Sequence, residues 1–222
     1  MEVKVYANVM KANDRIADQI RTLLDKYNIF AINFISSPGS GKTTLLESLI
    51  PHFISQNIRP AVLEGDLATS VDAERIKKLD IPVHQINTGS GCHLDANMIF
   101  HPIQDLPLDT IDLLLIENVG NLVCPTGFYL GENMKIAMVS VTEGDDKVLK
   151  YPLIFHVSEA LILNKIDLIP YTNFNKDKFY QYCAQVNPKV KIFEINAVKG
   201  DGVNALVEWI LERMKRTEPM RN

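Results

Sequence analysis

Short apolar, β-branched runs alternate along this chain with segments whose apolar positions recur at helical spacing. The runs are FAINFIS from Phe30, RPAVLEGD from Arg59, IPVHQINT from Ile81, IDLLLIENV from Ile111, KIAMVSVTE from Lys135, ALILNKID from Ala160 and KVKIFEINA from Lys189. Between and around them, Ile16, Ile20, Leu23, Leu24 and Tyr27 share one helical face, and VDAERIKKL, LDANMIF and VNALVEWILERM repeat that spacing. Seven strands alternating with helices predict an α/β fold, a mostly parallel seven-stranded sheet covered by helices on both faces. Such sheets bind ligands at the carboxyl ends of their strands. The 222 residues suffice for one substantial core and no Ser-, Gly- or Gln-rich linker divides them. A single domain over 1–222 is expected, with residues 1–28 as an N-terminal helical segment packed on it. Pro51 falls inside the helix that opens at Lys42, where it removes a hydrogen bond and clashes with the preceding turn, so a kink or break is expected near Ile50.

Composition narrows the partners. A net charge of -4, from 23 Lys and Arg against 27 Asp and Glu, offers no basic stripe for a phosphate backbone, so nucleic acid is not an expected partner. The N-terminal stretch has no apolar signal region, and the apolar runs are far too short to span a bilayer; a soluble, cytoplasmic protein with no membrane partner is expected. Cys92, Cys124 and Cys183 are odd in number and lack framework spacing, which favours reduced thiols or thiolate ligands over disulfides.

The segment SSPGSGKTT follows the strand FAINFI and precedes a helix. Pro38, Gly39, Ser40, Gly41, Lys42, Thr43 and Thr44 in that setting read as a phosphate loop. Backbone amides and the helix N-terminus cradle phosphates, Lys42 reaches the outer ones, and Thr43 holds magnesium. Ser36 stands where the strict pattern asks for glycine. In LILNKID, Asp167 can accept two hydrogen bonds from guanine, the stem of Lys165 can lie along the base, and Asn164 can brace the phosphate loop, which selects GTP and GDP. Ala197 and Lys199, in INAVKGDG, form a second wall for the base. LLLIENVGN ends in Glu117 with Gly120 three residues on. This is the place of the acid that orders magnesium and the glycine that senses the γ-phosphate in GTPases generally. Glutamate there resembles the signal-recognition, MinD and BioD (SIMIBI) class of P-loop proteins, which often dimerise over their nucleotides. That comparison makes Asp66, or less directly Asp72, the second acid near magnesium. Lys42, Asp66 and Glu117 are the candidate catalytic residues.

TGSGCHLDA, from Thr88, repeats Gly-Ser-Gly without the lysine, and instead presents Cys92 and His93 at a strand's carboxyl end. With Cys124, shortly after Gly120, two thiolates and an imidazole suit zinc, or nickel(II) if a fourth ligand completes a plane. Water, His101 or a second subunit could supply that ligand. Cys183 reads as core, and His52, His84 and His156 as ordinary element positions. GDDK, Gly144 to Lys147, is polar enough to reach a partner's nucleotide, so a homodimer forming on GTP binding is expected.

TGSGCHLDA, EGDLATSVDAERI, IENVGNLVCP and VTEGDDKVLKYP, with the phosphate loop and NKIDLIP, closely resemble the HypB family of hydrogenase nickel-incorporation GTPases, from about Phe30 onward. The related urease accessory GTPase UreG carries Cys-Pro-His in place of this Gly-Cys-His. The resemblance implies GTP hydrolysis, a switchable nickel or zinc site at Cys92, His93 and Cys124, a nickel-insertion partner protein and a hydrogenase large subunit as client. No Cys-x-x-Cys-Gly-Cys motif or histidine-rich tract occurs in the sequence, so the tight nickel store associated with them is expected to be absent. A GTP-dependent module with a purely structural zinc, and a P-loop kinase or transferase, are the alternatives that use these residues less fully.

Overall fold

Each of the seven apolar runs forms a strand: β1 Phe30–Ser36, β2 Pro60–Asp66, β3 Val83–Asn87, β4 Leu113–Glu117, β5 Met134–Ser140, β6 Ala160–Asn164 and β7 Lys191–Ile195. The strands lie in the order β3-β2-β4-β1-β5-β6-β7, and every neighbouring pair runs parallel. The computed structural model describes residues 2–66 and 71–217, without the side chains of residues 2–9, 71, 72 and 217. Helices α1 Glu2–Lys26, α2 Lys42–Ser55, α3 Val71–Lys77, α4 Ala96–Gln104, α5 Lys147–Lys150, α6 Pro152–Val157, α7 Lys176–Val186 and α8 Val203–Thr217 cover the sheet.

Strand alternation sorts the core into two faces, because successive side chains point to opposite sides. Phe30, Ile32 and Phe34 of β1 pack against Leu45, Leu49 and Phe53 of α2, Ile76 of α3 and Leu206 and Ile210 of α8. On the other side, Ala31 joins Ala17, Ile20 and Leu24 of α1 and Ile99 and Ile103 of α4, while Ile35 joins Phe155 of α6 and Phe179 and Cys183 of α7. Asn33 shares this second face, a fully buried polar residue (0 % exposed) on the central strand.

The break expected near Ile50 is absent: α2 runs uninterrupted through Pro51 to Ser55. Pro51 is exposed, so the hydrogen bond that proline removes is lost on the wet side of the helix. Leu49, Ile50 and Phe53 meanwhile stay in the core. Among the described residues no helix is long and apolar enough to cross a membrane.

Candidate functional site

The loop between β1 and α2 emerges at the carboxyl edge of the sheet's central strand. Gly39 and Gly41 adopt φ of 72° and 97°, left-handed backbone that glycine enters without strain. A Cβ on Gly41 would stand 2.8 Å from Asn164 Nδ2, so the glycine also permits a close approach. Lys42 Nζ donates to Ser36 Oγ at 2.9 Å, giving the serine that replaces the expected glycine a part in holding the lysine. Thr43 Oγ1 donates to Glu117 Oε1 at 2.8 Å. The hydroxyl and carboxylate expected at magnesium therefore already meet. Asp66, at the end of β2, lines the same cavity of about 440 Å³ with Gly39, Lys42 and Gly120. Asp72 is the second residue of α3, but its side chain lies outside the described residues. A Cβ on Gly120 would meet Pro38 Cα at 2.8 Å and Pro38 N at 2.9 Å; the loop after β4 thus presses directly on the phosphate loop.

A smaller cavity of about 200 Å³ adjoins the phosphate loop, walled by Thr44, Asn164, Lys165, Asp167, Ala197 and Lys199. Asn164 bridges three loops: its amide donates to Ser40 O at 2.8 Å and its carbonyl oxygen accepts from Ala197 N at 3.1 Å. Lys165, in left-handed backbone at φ 60°, donates to Gly39 O at 2.8 Å, which lays its stem beside the cavity. The Asn-Lys-x-Asp segment is thereby held against the phosphate loop, with Asp167 at the cavity wall.

Cys92, His93 and Cys124 converge although they come from two loops: their ligand atoms all lie within 4.8 Å of one another. Around a tetrahedral zinc the thiolate sulfurs would sit about 3.7 Å apart, from the usual Zn–S distance, so small inward shifts close the site. The Cys124 thiol and then burial hold the Cys92 thiol above its ordinary value. Burial lowers His93 despite Asp95, favouring the neutral imidazole that ligates metals. The His93 ring lies against Phe128, centroids 4.0 Å apart. His101 packs edge-on against Phe100 in α4 and is not part of the gathered set, so it does not fill the fourth position here.

With this geometry in hand, the relatives decide the family. Residues 30–194 match the model of the CobW/HypB/UreG nucleotide-binding domain. The hydrogenase maturation factor HypB of Escherichia coli (strain K12) is 45 % identical over 94 % of this chain and 71 % of its own. The chain belongs to the HypB family. A Helicobacter pylori HypB solved in complex with nickel superimposes with a TM-score of 0.87 at 38 % identity, covering 95 % of this chain and 99 % of that one. A signal recognition particle 54 kDa protein from Aeropyrum pernix shares the fold alone, with a TM-score of 0.56 at 14 % identity over 85 % of this chain and 49 % of its own. This HypB-family chain is a P-loop GTPase.

Four asparagines frame the cysteines and histidine of this HypB-family chain, and none was legible as a site residue in the sequence. Asn121 Nδ2 donates to Cys92 O at 3.3 Å, while its Oδ1 accepts from the backbone of Val123 at 2.8 Å and Cys124 at 3.4 Å. Asn118 Oδ1 accepts from Leu94 N at 3.0 Å, and Asn13 of α1 joins Ala96 N to Tyr129 O. Asn33 supports Asn118 from β1. The available signal was an asparagine inside the apolar run FAINFIS and two more flanking Val119 and Gly120. Lys147, in the polar GDDK segment, pairs with Glu143 of its own chain at 3.9 Å.

Proposed function

We propose that the chain is a GTP-hydrolysing nickel metallochaperone that delivers nickel during maturation of a [NiFe] hydrogenase, its metal affinity set by the bound nucleotide. The carrying observation is the segment from Glu117 to Cys124, which touches both sites. Glu117 accepts from Thr43, Gly120 abuts Pro38, Asn121 reaches Cys92, and Cys124 faces Cys92 and His93. In this reading Lys42 and the phosphate-loop amides bind the GTP phosphates, Asp167 reads guanine, and Thr43, Glu117, Asp66 and Asp72 surround magnesium, which neutralises phosphate charge. The nickel seen with the Helicobacter pylori relative supports nickel as cargo, with zinc as the competing occupant of the same thiolate and imidazole donors. The GTP-bound form pairs with a second copy, and a nickel-insertion protein and the hydrogenase large subunit are its partners.

A γ-phosphate against Gly120 orders this segment, and hydrolysis releases it, so Cys124 changes its facing toward Cys92 and His93. Linkage then requires that metal also change nucleotide affinity. Nickel titrations with GDP and with a non-hydrolysable GTP analogue are expected to give affinities differing by about 5- to 150-fold, the usual range of site coupling. Equal affinities in the two states would remove the switch and leave a structural metal.

A further inference from the structure

Glu117 and Asn118 are neighbours at the end of β4, and the alternation of a strand sends adjacent side chains to opposite faces. Glu117 meets Thr43 of the phosphate loop's helix. Asn118 meets the other loop: its Oδ1 accepts from Leu94 N, the residue after His93, at 3.0 Å and from Val119 N at 3.0 Å. The amide is itself held by a buried chain. Asn118 Nδ2 donates to Asn33 Oδ1 at 3.2 Å, Asn33 Nδ2 donates to Glu132 Oε1 at 3.5 Å, and Glu132 Oε2 accepts from Leu130 N at 2.7 Å. Lys135 Nζ lies 3.0 Å from Glu132 Oε1, pairing the carboxylate. Leu130 closes the circuit, since two residues before it Phe128 lies against the His93 ring.

Asn33, Asn118 and Glu132 are 0 %, 1 % and 5 % exposed. A buried ion pair adds little over apolar residues of the same volume, whereas a fully satisfied buried polar network rigidifies and specifies one arrangement. What such a chain supplies is a unique register. Here it fixes the backbone beside His93 and the segment bearing the ring on which His93 lies, and it anchors both to β1 and β4, the strands that carry the phosphate loop and Glu117.

We propose that Asn118, oriented by Asn33 and Glu132, is a positioning residue of the Cys92–His93–Cys124 site, transmitting displacement of the Glu117 strand end to His93. The proposal rests on the metal reading of those three residues and specifies how the nucleotide reaches them. Its test uses the full chain with nickel(II), and cobalt(II) as a spectroscopic probe, in the GDP and GTP-analogue states. Asn118→Ala is expected to weaken nickel binding about tenfold, within the range for residues supporting metal ligands, while GDP affinity stays within about twofold. The nickel-thiolate and cobalt spectra should shift, and the ratio of affinities between nucleotide states should shrink. Asn33→Ser, which leaves the Leu94 contact but frees the other arm of Asn118, should change the same quantities in the same direction by less. It also decides the matter if Asn118→Ala does not fold. Lower thermal stability with metal affinity and spectra unchanged in both nucleotide states would reduce the chain to a structural role and overturn the proposal. Wild-type protein without a nickel-thiolate band would overturn the metal reading itself. A wild type that binds nickel equally in both states would remove the transmission, leaving the loss of affinity in Asn118→Ala to test positioning alone.

Discussion

Cys92, Cys124 and Cys183 differ in what surrounds them. Cys183 sits 2 % exposed among Ile154, Phe155 and Phe179, and burial pushes its thiol up to about 12. A thiol in that state carries almost no thiolate at neutral pH and does not react. In native, metal-free protein at pH 8, a thiol reagent should label Cys92 and Cys124 and spare Cys183; denaturation should expose the third. Native labelling of Cys183 would show that the packing around α7 opens readily. Cys124→Ala removes a proposed ligand that lines neither the phosphate-loop cavity nor the cavity beside Asp167. It is expected to weaken nickel by more than about 100-fold, since supporting residues alone are worth about 10- to 100-fold, and to leave GDP binding nearly intact. Loss of both in calorimetric titrations would mark a cysteine that holds the fold. The identities of Cys92, His93 and Cys124 were legible from residue chemistry and from the family resemblance. Their packing was not, because the ring of Phe128 and the amides of Asn118 and Asn121 reach them only through the fold.

At the level of elements, β1, β2, β4, β5 and β6 could be read because each is an apolar run buried almost throughout between helices, the pattern a parallel sheet imposes, whereas the edge strands β3 and β7 are only partly buried. Helix α2 was read with a break it does not have, because exposure of Pro51 is a property of packing and not of sequence order. The loop after β4 was legible through Glu117 and Gly120, yet its pressure on the phosphate loop arises only in the folded packing of Gly120 against Pro38. Gly120→Ala tests that contact. The new Cβ would collide with the backbone of Pro38, which cannot rotate away as a side chain can. Overpacking of this kind costs about 1–3 kcal/mol, which is roughly 5- to 150-fold if it falls wholly on affinity. Binding of the GTP analogue should fall by that factor and GDP binding by less, measured by fluorescent-nucleotide displacement. An equal loss of both would mean that the glycine shapes the whole phosphate loop and does not sense the γ-phosphate.

For the whole molecule, strand alternation announced a parallel sheet, but the order β3-β2-β4-β1-β5-β6-β7 had to be seen, since sequence periodicity carries no information on which strands are neighbours. Lys147 and the exposed Leu149 and Leu153 follow β5 in the chain, and in the proposed pairing a second copy covers them. Light scattering is expected to show a doubling of mass with the GTP analogue and not with GDP, and Lys147→Ala should reduce it. A constant mass in all states would exclude nucleotide-driven pairing. The same order keeps the cavity lined by Asn164, Asp167 and Ala197 near the ends of β6 and β7 and Cys124 near the end of β4, some three to four strand spacings away, about 14–19 Å. In the proposed reading, a client protein covering the cysteines would leave the far end of the edge open to solvent. In that reading, spent nucleotide would then leave and fresh nucleotide enter without breaking a handover complex, so reloading would not wait for undocking.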